Sequence, residues 1–296
     1  MNEQLLKFEN ISKNYGSLEA LKDINFSIPE NSIFGILGAN GSGKSTFMKI
    51  LPNLIKKWSG NIYYNEKLIH NDNKILRQDF GYLIEAPTFY EYLSAKQNLD
   101  ILARISGSDS NRIKKVLKLV NLHKRSSDKV HSFSYGMKQR LGIAQALLHD
   151  PKVIVLDEPN NGLDPNGIDD MISLLKKLKS EGKTICLSTH NLRDVEEICT
   201  HFTVFNNGNC SKTTSMSEQL SNSKRWIINL NHTDDLLSKI KEKFKIISIH
   251  ENDVLIESTV NDTVNQLNSM LSGYEVHKIS KQSNLIEYFN DDKFIL

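Results

Sequence analysis

Gly38-Ala39-Asn40-Gly41-Ser42-Gly43-Lys44-Ser45-Thr46 decides the fold of this chain, because two glycines five positions apart are followed at once by a lysine and a hydroxyl residue. This is a phosphate-binding loop pattern. Its glycines let successive backbone N–H groups turn inward around a polyphosphate, while Lys44 reaches the outer phosphates and the Ser45 hydroxyl is placed for Mg²⁺. The flanks agree. Ile33-Phe34-Gly35-Ile36-Leu37 is an apolar run of buried-strand length, and Thr46-Phe47-Met48-Lys49-Ile50-Leu51 continues as a helix. Strand, loop and helix in this order favour a nucleotide site over a chance glycine-rich turn.

About a hundred residues further on, Val153-Ile154-Val155-Leu156 is an uninterrupted apolar run that reads as a buried parallel strand and ends in Asp157-Glu158-Pro159. Ligands of doubly wound sheets bind beyond the C-terminal strand ends. Asp157 is therefore placed to hold Mg²⁺ through water, and Glu158 to accept a proton from an attacking water. Thr184-Ile185-Cys186-Leu187-Ser188 is a further strand, which puts His190 at another such end.

Between the two sites lies Phe133-Ser134-Tyr135-Gly136-Met137, and Asn161-Gly162-Leu163-Asp164-Pro165 and Ser188-Thr189-His190 follow downstream. Together with the phosphate loop and the acidic strand, this ordered set resembles the ATP-binding subunits of ABC transporters over about the first 215 residues. The resemblance implies a P-loop α/β fold with an inserted helical subdomain, ATP and Mg²⁺ as ligands, and hydrolysis of ATP. It implies a nucleotide cradle of Gly38, Asn40, Gly41, Ser42, Gly43, Lys44, Ser45 and Thr46, with Tyr15 stacked on adenine. A core tyrosine near a turn remains the other reading of Tyr15. Lys44, Glu158 and His190 are then the catalytic set, with His190 sensing the γ-phosphate, and Asp164 lies at a subunit contact.

Ser134, Gly136 and Met137 occupy the family's signature position, keeping its serine and one glycine and departing elsewhere. Ser134 reads as a helix N-cap, so the helix it opens can offer amides and its positive dipole end to ATP held by a second subunit. An ordinary capped amphipathic helix is the plainer alternative. A further departure is Glu85, in Gly81-Tyr82-Leu83-Ile84-Glu85-Ala86-Pro87, where the family carries a glutamine that ligates Mg²⁺ and senses the membrane subunit. A carboxylate still ligates Mg²⁺ but adds negative charge near the γ-phosphate. Glutamate here, followed by proline and aromatic residues, resembles the bacitracin-type and lantibiotic-immunity exporters of antimicrobial peptides.

The 296 residues allow one large α/β domain, residues 1–215 with helices over about 86–150, and a small one, residues 216–296. The linker is the Ser-, Thr-, Asn- and Lys-rich stretch 211–223. Beyond it the pattern runs β-α-β-β-α-β, the order of a ferredoxin-like split unit, with a short terminal helix expected over residues 284–289. Three cysteines without a CxxC pair suggest neither zinc nor a disulfide framework, and suit a reducing compartment. With 37 basic and 35 acidic residues, the formal charge of +2 predicts no broad footprint for nucleic acid.

No run of roughly eighteen apolar residues is present, so transport needs separate membrane-spanning permease subunits, with this chain peripheral on the cytoplasmic side. Its expected second partner is another ATP-binding subunit, as a homodimer. A soluble ABC-type ATPase acting on nucleic acid or ribosomes is the rival. The single cassette without a long coiled-coil insert counts against it. Glu158 and His190 count against a non-hydrolysing sensor.

Overall fold

β1 (Gln4–Tyr15) and β2 (Leu18–Pro29) pair antiparallel, burying Leu6, Phe8 and Ile11 while Lys7 and Asn10 stay exposed, as alternation along a half-buried strand demands. β3 (Ile33–Leu37) is buried at every residue and so sits in the interior of a sheet. The computed structural model describes residues 4–69, 74–231, 234–258, 263–283 and Leu285. Within these, the loop after β3 leads into α1 (Lys44–Met48), a shorter helix than the sequence suggests. Turns follow it up to Pro52, which disfavours helical geometry in the residue before it. β4 (Ser59–Tyr64) and β5 (Lys67–Ile69) complete an antiparallel sheet of order β2-β1-β4-β5.

α2 (Lys74–Gln78) and β6 (Phe80–Leu83) precede three helices that pack on one another: α3 (Ala95–Ser106), α4 (Ser110–Leu119) and α5 (Tyr135–Ala146). Each of the three has a local start signal. Ser94 and Gln97 form a capping box, Asp109 accepts from the Arg112 N–H, and Ser134 accepts from the Met137 N–H. Asp109 starts α4 three residues before the apolar pattern does, and Asn121 at φ 58° closes the segment that follows.

The chain then returns to the main sheet through β7 (Val153–Asp157), α6 (Pro165–Ser180), β8 (Thr184–Thr189), α7 (Leu192–Ile198), β9 (His201–Asn206) and β10 (Asn209–Cys210). β11 (Thr214–Ser215) pairs with β9. The order β10-β9-β3-β8-β7-β6, parallel from β9 to β6, sets Leu37 beside Thr189 and Asp157 beside Ser188. The C-terminal ends of β3, β7 and β8 therefore lie side by side. Phe47 of α1 is fully buried in a ring cluster with Phe8, Phe26 and Phe205 at centroid distances of 4.9, 5.2 and 5.5 Å. That cluster ties both sheets to the start of α1, and so holds the glycine loop in place.

The described chain divides into two compact units between Ser215 and Met216. The stretch expected as a linker has structure of its own. Thr214–Ser215 is a strand, and Met216–Asn222 forms α8, because polar composition does not stop a backbone from satisfying itself. The second unit continues with β12 (Arg225–Leu230), α9 (Asp234–Lys243), β13 (Lys245–His250), β14 (Asp253–Glu257), α10 (Thr263–Met270) and β15 (Val276–Gln282). Its sheet is antiparallel, ordered β13-β14-β12-β15, and Ile228, Leu230, Leu236, Ile240, Phe244, Val254, Ile256 and Leu267 form its own apolar core. The terminal helix expected over residues 284–289 lies outside the described residues apart from Leu285. Among the described residues no helix is long and apolar enough to cross a membrane.

Candidate functional site

The glycine loop takes its shape from contacts that no side chain fits. A Cβ on Gly38 would stand 2.4 Å from the Phe205 carbonyl oxygen, and one on Gly43, at φ 109°, 2.7 Å from that of Ala20. Gly43 lies in this left-handed conformation at the cap of α1 and turns the chain so that Lys44 opens the helix. The Lys44 side chain is buried and folds back over the loop, donating to the carbonyls of Gly38 at 2.7 Å and Ala39 at 3.1 Å. Burial lowers its pKa, opposed by Glu158 and Asp157. The Ser42 hydroxyl is buried without a hydrogen-bond partner among the described residues. This orphaned donor lies between Gly41 and Gly43, which line a cavity with Lys44, Ser45 and Thr46, a donor-rich place that fits the oxygens of a polyphosphate.

Asp157 and Glu158 leave the end of β7 in different states. Ser188, next to Asp157 in the neighbouring strand β8, donates to Asp157 Oδ1 at 2.5 Å and accepts from the Glu158 N–H at 3.0 Å. Burial raises the Asp157 carboxyl above its ordinary range, and the Ser188 bond works against that rise. Glu158 has φ 46°, uncommon for a residue with a Cβ, and its side chain is thereby set between two basic groups. Oε1 lies 4.0 Å from Lys44 Nζ, and Oε2 lies 3.1 Å from His190 Nδ1. The carboxylate is thus poised between the loop lysine and an imidazole that is about half exposed.

A cavity of about 570 Å³ is lined by Tyr15, Ala20, Asn40, Gly41, Lys44, Ser45, Thr46 and Glu158, among others. One open space therefore joins Tyr15, the glycine loop and Glu158. Ser134, Gly136 and Met137 do not line it. The start of α5 instead meets the loop 162–164. A Cβ on Gly136 would touch Leu163 at 3.3 Å, and one on Gly162 would meet the Tyr135 ring at 3.1 Å. Asp164 caps α6 by accepting from the Gly167 N–H at 3.1 Å. One chain thus carries two separate clusters.

Glu85 is exposed, has φ 66°, and pairs with Lys49 Nζ at 2.5 Å. Hydrogen bonding and charge from Lys49 hold its carboxyl below the usual range. Lys49 and Ser188 are the functional neighbours the sequence reading missed. Lys49 lies one turn and a residue beyond Lys44, and Ser188 precedes His190 by two, so both were within sight of the motifs. Ser188→Ala is expected to cut turnover about tenfold to a hundredfold, because it frees the Asp157 carboxylate and removes the acceptor of the Glu158 N–H. Steady-state kinetics on the folded variant checks this.

Among the described residues no group of three or more His, Cys, Asp or Glu side chains stands ready to hold a metal. Mg²⁺ bound with phosphates needs only one or two protein ligands, and Ser45 at the cavity and Asp157 at the end of the adjacent β7 suit that requirement.

Residues 21–161 match the family model described as ABC transporter. The chain is 34% identical over 294 residues to the bacitracin transport ATP-binding protein BcrA of Bacillus licheniformis, covering 96% of each. It is 41% identical over 194 residues to the lantibiotic transport ATP-binding protein SrtF of Streptococcus pyogenes, covering 66% of this chain and 83% of that one. Among solved structures, the dimeric post-hydrolysis state of the ATP-binding cassette MJ0796 bound to ADP and Pi superposes with a TM-score of 0.63 at 28% identity. That match covers 71% of this chain and 98% of the cassette.

Proposed function

The chain belongs to the ATP-binding subunits of ABC transporters and is an ATPase, and from that premise we propose that it powers export of antimicrobial peptides such as bacitracin or lantibiotics through separate permease subunits. Its relatives with printed functions, BcrA and SrtF, support this choice of cargo. The placement of the Glu158 carboxylate between Lys44 and His190 is the observation that carries the hydrolytic mechanism.

In that mechanism the amides of residues 41–45 and the Lys44 ammonium hold charge that develops on the γ-phosphoryl group. Glu158 accepts the proton of the attacking water, and the His190 bond to Oε2 fixes which way the carboxylate faces. Bound Mg²⁺ neutralises phosphate charge, and Ser45 and Asp157 would hold it. Glu85 joins that set only by releasing Lys49. His190 also contacts the γ-phosphate, and Tyr15 stacks on adenine. The second cluster completes the site in trans: Ser134, Gly136 and Met137 of one copy face the nucleotide of the other, with Asp164 at the contact. Two copies therefore close on two nucleotides.

We assign residues 1–215 to the ATP-binding domain and 216–296 to an accessory domain. Its β-α-β-β-α-β order, with the sheet arranged β13-β14-β12-β15, supports a ferredoxin-like unit. For the permease we favour a groove of about 570 Å³ lined by Leu51, Tyr82, Leu102, Ile105, Ala146 and His149, since Ile105 at its edge is 81% exposed. The chain then works peripherally on the cytoplasmic face of the membrane. Deleting the gene in the source cell is expected to lower tolerance to bacitracin or a lantibiotic severalfold, read as the minimum inhibitory concentration. Wild type should restore it and Glu158→Gln should not. Unchanged tolerance to both peptide classes in the deletion strain counts against this cargo.

A further inference from the structure

Lys13 is 7% exposed, yet among the described residues no carboxylate lies within ion-pair distance of it. Its ammonium is held by the carbonyl oxygens of Lys56 at 2.9 Å and Lys57 at 3.1 Å, and it stands over the Tyr15 ring, 4.6 Å from the centroid. A buried cation is costly unless it is compensated, and two carbonyl hydrogen bonds and a π-face meet that need. The arrangement has an orientation. The two carbonyls belong to adjacent residues at a bend where Lys57 has φ 57°, so the ammonium is held by backbone on one side and meets the ring on the other.

Tyr15 needs such a partner. It ends β1, is 47% exposed and lines the cavity that reaches the glycine loop. An exposed tyrosine at a strand end samples several rotamers and presents no fixed plane. With one face taken by a cation pinned to the backbone, the ring has one face left, and a positive charge behind an aromatic ring favours an electron-rich heterocycle in front of it. We propose that Lys13 is a positioning residue that locks Tyr15 as a purine platform, so that this chain's preference for a nucleotide base depends on a lysine that need not touch the nucleotide. The proposal rests on the reading of Tyr15 as the adenine contact.

The test uses the full chain with ATP, CTP and inorganic tripolyphosphate, which carries the phosphates and no base. Lys13→Met is expected to raise the KM for ATP about threefold to tenfold, the size of a lost cation–π contact. The loss should fall on KM rather than kcat, narrow the gap between ATP and CTP, whose smaller ring stacks less, and leave the inhibition constant of tripolyphosphate unchanged. Lys13→Arg, which keeps the cation, should recover most of the KM. If Lys13→Met does not fold, Lys13→Gln removes the charge and keeps an N–H donor, on a side chain one atom shorter. An equal weakening of ATP and tripolyphosphate would make Lys13 a structural strut and overturn the proposal, as would an unchanged KM. Tyr15→Ala separates the two layers. If it leaves the KM for ATP unaltered, the platform reading fails; if it raises the KM while Lys13→Met does not, the role of Lys13 alone fails.

Discussion

Glu158→Gln lowers ATP turnover about a hundredfold to ten-thousandfold, the range by which a positioned general base accelerates proton transfer, while ATP binding stays within about threefold. Gln has the same length and fits the same left-handed backbone position. It keeps one oxygen for the contact with His190 Nδ1, now 3.1 Å from Oε2. What it loses is a lone pair basic enough to take a proton from water. The loss of negative charge near Lys44, at 4.0 Å, leaves the ammonium more available to phosphate, so binding has no reason to fall. Single-turnover hydrolysis with Mg·ATP measures the first effect, and gel filtration should find a dimer that persists because its nucleotide is not consumed. Turnover at the wild-type rate in this variant would remove Glu158 from the chemistry.

Lys44→Ala has the opposite signature: ATP affinity falls by about a hundredfold or more, since charge-assisted contacts to phosphate contribute ~1.5–3 kcal/mol each. There is a second consequence that a motif alone does not announce. Lys44 donates to the Gly38 and Ala39 carbonyls of its own loop. Truncating it strips those oxygens of their donor in a buried place, which costs about 1–3 kcal/mol of stability. Lys44→Ala should therefore melt several degrees lower even without nucleotide, whereas Glu158→Gln should not. Equilibrium binding of a fluorescent ATP analogue and thermal unfolding in the absence of ATP read the two effects separately. A variant that binds ATP at near wild-type affinity would mean that the loop amides alone hold the phosphates.

The contrast between these variants shows how differently the two residues were legible. Lys44 is named by its neighbours in the chain, since a lysine after that glycine spacing has one geometric use. Glu158 is named by its place at a strand end, which already assigns Asp157 to Mg²⁺ and Glu158 to the attacking water. What chain order does not give is Ser188, a residue of another strand, which bonds Asp157 Oδ1 and the Glu158 backbone at once. The glycines tell a similar story. That Gly41 and Gly43 need positive φ is implicit in the motif, whereas the exclusion of a side chain at Gly38 comes from the Phe205 carbonyl, far away in sequence.

The boundaries of secondary structure were read most closely where a local signal existed. β3 and β7, the latter up to its closing Asp157, are continuous apolar runs, and Ser134 caps α5 through a bond three residues away. The reading was poorest where polar residues organise the backbone. Asp109 begins α4 before its apolar stripe, and β11 and α8 occupy a stretch whose composition suggested a linker. Composition reports what a segment cannot bury. It does not report which backbone partners it finds.

The amino-acid sequence by itself determined that a nucleotide is bound, that two carboxylates stand at a strand end, and that the chain carries the ordered motifs of an ABC cassette, because each of these lies within a few consecutive residues. Only the tertiary structure decided which groups meet. It gives Glu158 to Lys44 and His190, Glu85 to Lys49, and the Tyr15 ring to Lys13. It also sets the start of α5 beside Leu163 rather than at the phosphate loop of its own chain. The physical reason is that electrostatic and aromatic contacts act over a few ångströms in space, and parallel strands bring those ångströms together from residues that are dozens of positions apart.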